Sequence, residues 1–224
     1  MEKINSYLNK AHTMFIINES YSRSVSMQTY VDKIIKMLKK QNTVTSAGVR
    51  KAGLSPSLLC YMKDMGMLRR IAHGVYMLTE HIPSNETFVE AALTIPGGVM
   101  CLLSALQYHE LTTQMPGEVW MAVKTGSYYP RNSQMPIKII QLSDKNFSAG
   151  IETHDENGIK IRVYSPAKTI VDCFRFRNKI GTDIAIEALR DAVRQKKAAS
   201  DKIWEYARQC RMTKIMRPYM ETIQ

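Results

Sequence analysis

The sequence predicts an α+β fold in two parts: a small amino-terminal helical domain, then an α/β domain with a small sheet and a helical carboxy-terminal tail. Three observations predict it. Three short helical stretches, punctuated by Gly and Pro, come before residue 67 and lead into two β-like runs around Gly74. Segments 119–123, 137–142 and 159–164 run apolar or alternate as strands do. From Ser165 onward, apolar residues recur at helical spacing almost to the end.

Composition sets the bounds. The 224 residues are 45% apolar and 23% charged, as in ordinary globular proteins, which excludes wholesale disorder, collagen-like repeats and coiled coils. The longest unbroken apolar run is five residues, as at Val99–Leu103, far short of the roughly 20 that a membrane helix needs. No apolar h-region follows Lys3, so a secretory leader is not expected. Cys60, Cys101, Cys173 and Cys210 fit no metal or redox spacing, and a reducing cytoplasmic compartment is the economical expectation. The net charge of +11 is bipolar. Residues 1–84 carry +7, residues 85–150 carry −1 and residues 151–224 carry +5. Excess positive charge points to an anionic partner.

Residues 1–27 show no sustained period and read as a loosely held extension with one apolar patch, Met14–Ile17. Between Gln28 and Gln41, the residues Tyr30, Ile34, Ile35, Met37 and Leu38 form a helical stripe, with Lys33, Lys36, Lys39 and Lys40 opposite. A second short helix follows. Thr45 can cap it, Val49 and Ala52 share its inner face, and Gly53 supplies the left-handed residue that ends it. Ser55 and Pro56 open a third helix, whose buried stripe is Leu58, Leu59, Met62 and Met65 and whose end is Gly66. Met67 to Leu78 is then a β-hairpin about Gly74.

Three helices with a tight second-to-third turn, followed by a hairpin, spell a winged helix-turn-helix over residues 28–80. In that geometry the third helix enters the major groove and the wing touches the backbone. Candidate DNA-binding residues are Thr45, Ser55 and Ser57 at helix N-termini, Tyr61 and Lys63 on the third helix, and Arg69, Arg70 and His73 on or beside the wing. Asp64 on the same helix has no role in this reading. A winged helix that binds protein instead of DNA is the alternative.

Residues 81–85 read as a linker, and residues 85–224 as the second domain. Its expected helices span about 87–93, 101–109, 165–177 and 181–197, with two more from Ser200 and Thr213, the last interrupted by Pro218. No P-loop, GxGxxG or HExxH occurs. Glu152 and Asp155 precede Lys160, but position 158 is Gly, so a restriction-nuclease spacing fails. His109–Glu110 and His154–Asp155 stand as isolated pairs, and no catalytic site, metal or cofactor is expected. Lys168, Asp172 and Arg175 follow i, i+4, i+3 spacing. They form either an intrahelical ion chain worth about 0.2–0.5 kcal/mol per pair or a charged ridge for a partner.

Three segments in order carry a resemblance: the wing end Gly74–Val75–Tyr76, the stretch from Ser104–Ala105–Leu106 to Thr112–Thr113–Gln114, and Ser165 to Asp172. Together they resemble the AbiEi family of antitoxins from type IV toxin–antitoxin, or abortive-infection, systems, over about Gln28 to Lys197. The resemblance implies a winged helix that represses its own operon at inverted repeats, with two protomers or two sites on DNA. It implies a carboxy-terminal domain that counteracts a cognate nucleotidyltransferase toxin, commonly without a stable complex. The antitoxin surface is then expected at Lys168, Asp172, Arg175 and Arg177. A stand-alone regulator with a ligand- or partner-sensing second domain is the alternative, and a winged-helix nuclease is the third.

Overall fold

The computed structural model describes residues 21–81, 85–130 and 135–222, so the Met14–Ile17 patch and most of the expected linker lie outside it. The described chain is α+β, with two separate sheets, and divides into two units. One unit runs through Glu86 and includes Glu156–Ile159; the other holds Thr87–Asp155 and Lys160 to the carboxy terminus.

In the first unit the order is α1 (Tyr21–Gln41), β1 (Thr43–Thr45), α2 (Ser46–Lys51), α3 (Ser57–Asp64), β2 (Leu68–Ala72) and β3 (Val75–Leu78). The strands form an antiparallel sheet in the order β1–β3–β2. Helix α1 starts before the expected helical pattern, so residues 21–27 belong to it and not to an extension. Its buried stripe is Val31, Ile34, Ile35 and Leu38; Tyr30, expected inside, is exposed. Strand β1 is not legible in the sequence, because three residues carry too little pattern to separate from the following helix.

Both helix ends in this unit are set by glycine. Gly53 and Gly66 adopt φ of 74° and 73°, conformations that cost a side chain with a Cβ roughly 1 kcal/mol. After α2, Leu54 N–H donates to Val49 C=O and Gly53 N–H to Arg50 C=O. After α3, Met67 N–H donates to Met62 C=O and Gly66 N–H to Lys63 C=O. Each is a Schellman motif, and each places an apolar pair, Val49 with Leu54 and Met62 with Met67, in the same buried cluster. The chain is thereby turned inward twice. Ala52, expected on the inner face, is exposed, and Met65 is half-buried.

The second unit contains α4 (Glu86–Thr94, whose first residue belongs to the first unit), β4 (Val99–Met100), α5 (Leu102–Tyr108), β5 (Val119–Lys124), β6 (Ile137–Leu142), α6 (Asp144–Ser148), β7 (Ile151–Glu156) and β8 (Ile159–Tyr164). The helical tail follows as α7 (Pro166–Arg175), α8 (Arg177–Ile180), α9 (Thr182–Arg194), α10 (Ser200–Gln209) and α11 (Thr213–Glu221). The sheet order is β6–β5–β4–β8–β7, five strands where three were expected. Strand β4 is too brief to show a pattern, and β7, Ile-Glu-Thr-His-Asp-Glu, offers no apolar alternation. Trp120 and Ala122 of β5, with Ile140 and Leu142 of β6, face the cluster formed by α5, α7, α9, α10 and α11. The expected helix through Arg177 breaks at Phe176, and α11 runs through Pro218 instead of stopping there.

Three helices of this unit end without glycine in Schellman turns, at Glu110 (φ 54°), Lys196 (φ 56°) and Arg211 (φ 59°). These residues carry the left-handed penalty that Gly53 and Gly66 avoid. Lys196→Gly and Arg211→Gly are expected to raise unfolding free energy by about 0.5–1 kcal/mol each, while Gly53→Ala and Gly66→Ala lower it by about 1 kcal/mol. Denaturant midpoints read the sign.

Candidate functional site

The amino-terminal unit brings most of its candidate residues to the surface of α3 and the β2–β3 hairpin. Thr45 caps α2, its Oγ1 accepting from Gly48 N–H at 2.9 Å. Pro56 stands immediately before α3 where Ser55 was expected to cap. Ser55 lies one residue further out, its Oγ 2.6 Å from Ser57 Oγ and 3.4 Å from Ser57 N. Ser55, Ser57 and Tyr61 line one groove of about 530 Å³ together with Met27 and Tyr30. Burial pushes the Tyr61 phenol up from its ordinary value, so it stays neutral and can donate.

The cations are not equally available. Arg69 Nε sits 2.9 Å from Glu86 Oε1. Lys63 Nζ sits 3.1 Å from Asp64 Oδ1, and that contact raises the lysine pKa. Arg70 Nη2 lies 2.9 Å from His73 Nδ1, beside the turn at Gly74, and its Nε donates to Ala72 C=O at 3.3 Å. Arg50 and Lys51, in the last turn of α2, are exposed and form no ion pair among the described residues. Nothing in the sequence singles them out, because a basic last turn is ordinary helix chemistry.

In the second unit the expected charged ridge is absent as a surface. Lys168 and Asp172 are 0% and 1% exposed. Lys168 Nζ donates to Asp172 Oδ2 at 2.5 Å and lies 4.5 Å from the centre of the Tyr164 ring. Burial pushes the Asp172 carboxyl up, with the lysine opposing. Arg175 and Arg177 are half-buried, and Arg177 donates to Phe174 C=O. The i, i+4 pairing expected from the spacing is present, but on an interior face: Ile170, Val171, Cys173 and Phe174 are buried as well, so α7 is covered almost all round.

Gly150 makes room for the lysine. A Cβ there would stand 2.8 Å from Lys168 Cβ and 3.0 Å from the Tyr206 hydroxyl, and φ is 68°. Ser104 is buried too and accepts the Trp120 N–H at 2.9 Å, tying α5 to β5. Burial also pushes up the thiols of Cys101 and Cys173.

The two isolated histidines meet. Their ring centres are 6.4 Å apart, and both pack against Tyr108, at 5.5 Å for His109 and 5.0 Å for His154. His109 Nε2 donates to Tyr164 C=O at 2.7 Å, while its own carbonyl accepts from Lys197 Nζ at 2.6 Å. His154 Nε2 is 3.6 Å from Glu152 Oε2. Among the described residues no group of three His, Cys, Asp or Glu side chains is placed to hold a metal. No described helix is long and apolar enough to cross a membrane.

The fold is similar to that in the crystal structure of the RV2827C protein from Mycobacterium tuberculosis, with a TM-score of 0.52 and 13% identity, over 80% of this chain and 71% of that one. At that identity the likeness is one of fold. No protein-family model and no curated protein matches the sequence.

Lys168→Met strands a buried carboxylate and should cost about 3–5 kcal/mol, whereas Lys168→Met with Asp172→Leu should recover most of it; urea unfolding of both variants checks the pair. Burial lowers the His109 pKa. The unfolded chain therefore binds its proton first, so stability is complete above the ordinary histidine value of about 6.5 and declines as pH falls below it. His109→Gln should flatten that part of a stability–pH curve.

Proposed function

We propose that the amino-terminal unit is a winged helix that binds promoter DNA, and that the chain is a cytoplasmic antitoxin and transcriptional autorepressor. Its carboxy-terminal unit counteracts a nucleotidyltransferase toxin, and it acts by binding and not by catalysis. The observation that carries the DNA reading is the order α1–β1–α2–α3–β2–β3 on a β1–β3–β2 sheet, with an outward polar face on α3 and exposed Arg69, Arg70 and His73 on the adjoining hairpin. In a winged helix those elements are the recognition helix and the wing. Arg50, Lys51 and Arg70 supply phosphate contacts; Arg69 is partly satisfied by Glu86. The antitoxin reading rests on the resemblance of residues 104–114 and 165–172 to AbiEi antitoxins. Inverted repeats imply two protomers about one helical turn apart on the operator.

The combined variant Arg50→Gln, Lys51→Gln, Arg70→Gln should weaken binding to every duplex and shallow the log–log salt slope by about 0.9 for each phosphate that is no longer neutralised. A titration with an unchanged slope would remove these residues from the interface. In cells the same variant should derepress a reporter driven by the chain's own promoter, yet still rescue growth when co-expressed with the toxin. A reporter indifferent to the substitutions counts against operator binding. Persistent toxicity beside the wild-type chain counts against the antitoxin role.

A further inference from the structure

We propose that the neighbouring side chains of Lys63 and Asp64 read a G·C base pair in the major groove; this rests on the DNA-binding reading of the amino-terminal unit. Helix α3 buries Leu58, Leu59 and Met62 and turns Ser57, Cys60, Lys63 and Asp64 outward. Ser57, Cys60 and Asp64 follow i, i+3, i+7 spacing, so they share one face, with Lys63 beside it. Serine and cysteine are short, which lets the helix approach a groove floor closely. The two longer, charged side chains stand at its carboxy-terminal end.

A carboxylate on that face is out of place if the face only meets phosphates, because like charges repel. It is in place if it accepts a hydrogen bond from a base. Lys63 Nζ and Asp64 Oδ1 are 3.1 Å apart, with side chains 45% and 70% exposed. The pair therefore presents a donor and an acceptor side by side. The major-groove edge of G·C is the complement: guanine offers O6 and N7 as acceptors, and cytosine N4 offers a donor next to O6. Lys63 Nζ donates to guanine O6 or N7, and Asp64 accepts from cytosine N4–H. An A·T pair fits worse, since its single donor, adenine N6, lies between two acceptors, adenine N7 and thymine O4, that repel a carboxylate.

The test selects bound sequences from a randomised duplex library with the full chain at fixed salt. Wild-type selections are expected to share a G·C position in each half-site. Asp64→Asn should move that position toward A·T, because a carboxamide both donates to and accepts from the adenine N7/N6 edge. Asp64→Ala should lose about tenfold of discrimination there, with equal or tighter binding to unrelated duplex, one negative charge having left the face. Selections by Asp64→Asn and Asp64→Ala that match the wild-type profile overturn the assignment and leave DNA binding standing. A wild-type chain that retains no duplex overturns both.

Discussion

The second unit is organised around an ion pair that has no water to share. Lys168 and Asp172 lie one helical turn apart inside α7, and taking both charges out of water costs several kcal/mol per ion before their attraction offsets it. That cost restricts the surroundings. The lysine stem needs a neighbour without a Cβ, and Gly150 provides it. The ammonium needs a π face as well as the carboxylate, and Tyr164 provides that, with its hydroxyl anchored on Phe147 C=O. Tyr164 C=O in turn accepts from Thr169 Oγ1 and from His109 Nε2. One pair on α7 thus fixes how β8 enters the helix, where α5 ends, and where the 143–150 turn passes. Helix α7 also packs against α5, α9 and α10, so the constraint spreads through most of the unit.

The amino-terminal unit solves a different problem. Its core is an apolar cluster with no buried charge, and its order depends on stopping two short helices at fixed residues. Gly53 and Gly66 do this by turning Leu54 and Met67 into the core immediately after each helix. Helix α3 is held at both ends as a result, and its outward face is left to polar residues. Charge on this unit is then sorted by partner. Glu86 and Asp64 occupy Arg69 and Lys63, so the cations with the least local compensation are Arg50 and Lys51, neither of which lies on the expected recognition helix or wing.

Punctuation makes the amino-terminal unit legible. Thr45, Gly53, Pro56, Gly66 and Gly74 are each residues whose backbone chemistry leaves few options, and they mark the ends of its elements. Strands β4 and β7 escape because pairing, and not their own pattern, makes them strands: β4 is two residues between β5 and β8, and β7 is a polar edge. The site is less legible than the fold. Spacing shows that Lys168 meets Asp172, but whether a helix face meets water depends on what packs over it from α9 and α10, which no local window contains. The meeting of His109 with His154 likewise depends on the sheet bringing β7 beside β8.

The segments that resemble antitoxins in the second unit are interior segments. Ser104 holds the Trp120 amide, Ser165 caps α7, and Ala167 to Asp172 are buried throughout. These residues are demanding because each fills a defined interior position: a hydroxyl for one amide, a cap for one helix, a cation for one carboxylate. Chains that share them share an interior. Activity against a toxin has to be exerted from the outside, by residues that this interior leaves free to vary. In the carboxy-terminal unit, therefore, the segments that reveal kinship and the surface that meets a partner are different sets of residues. Substitutions in Ser165–Asp172 would abolish activity through loss of the fold, so the partner surface has to be sought among exposed side chains such as Arg190, Arg208, Lys214 and Arg217.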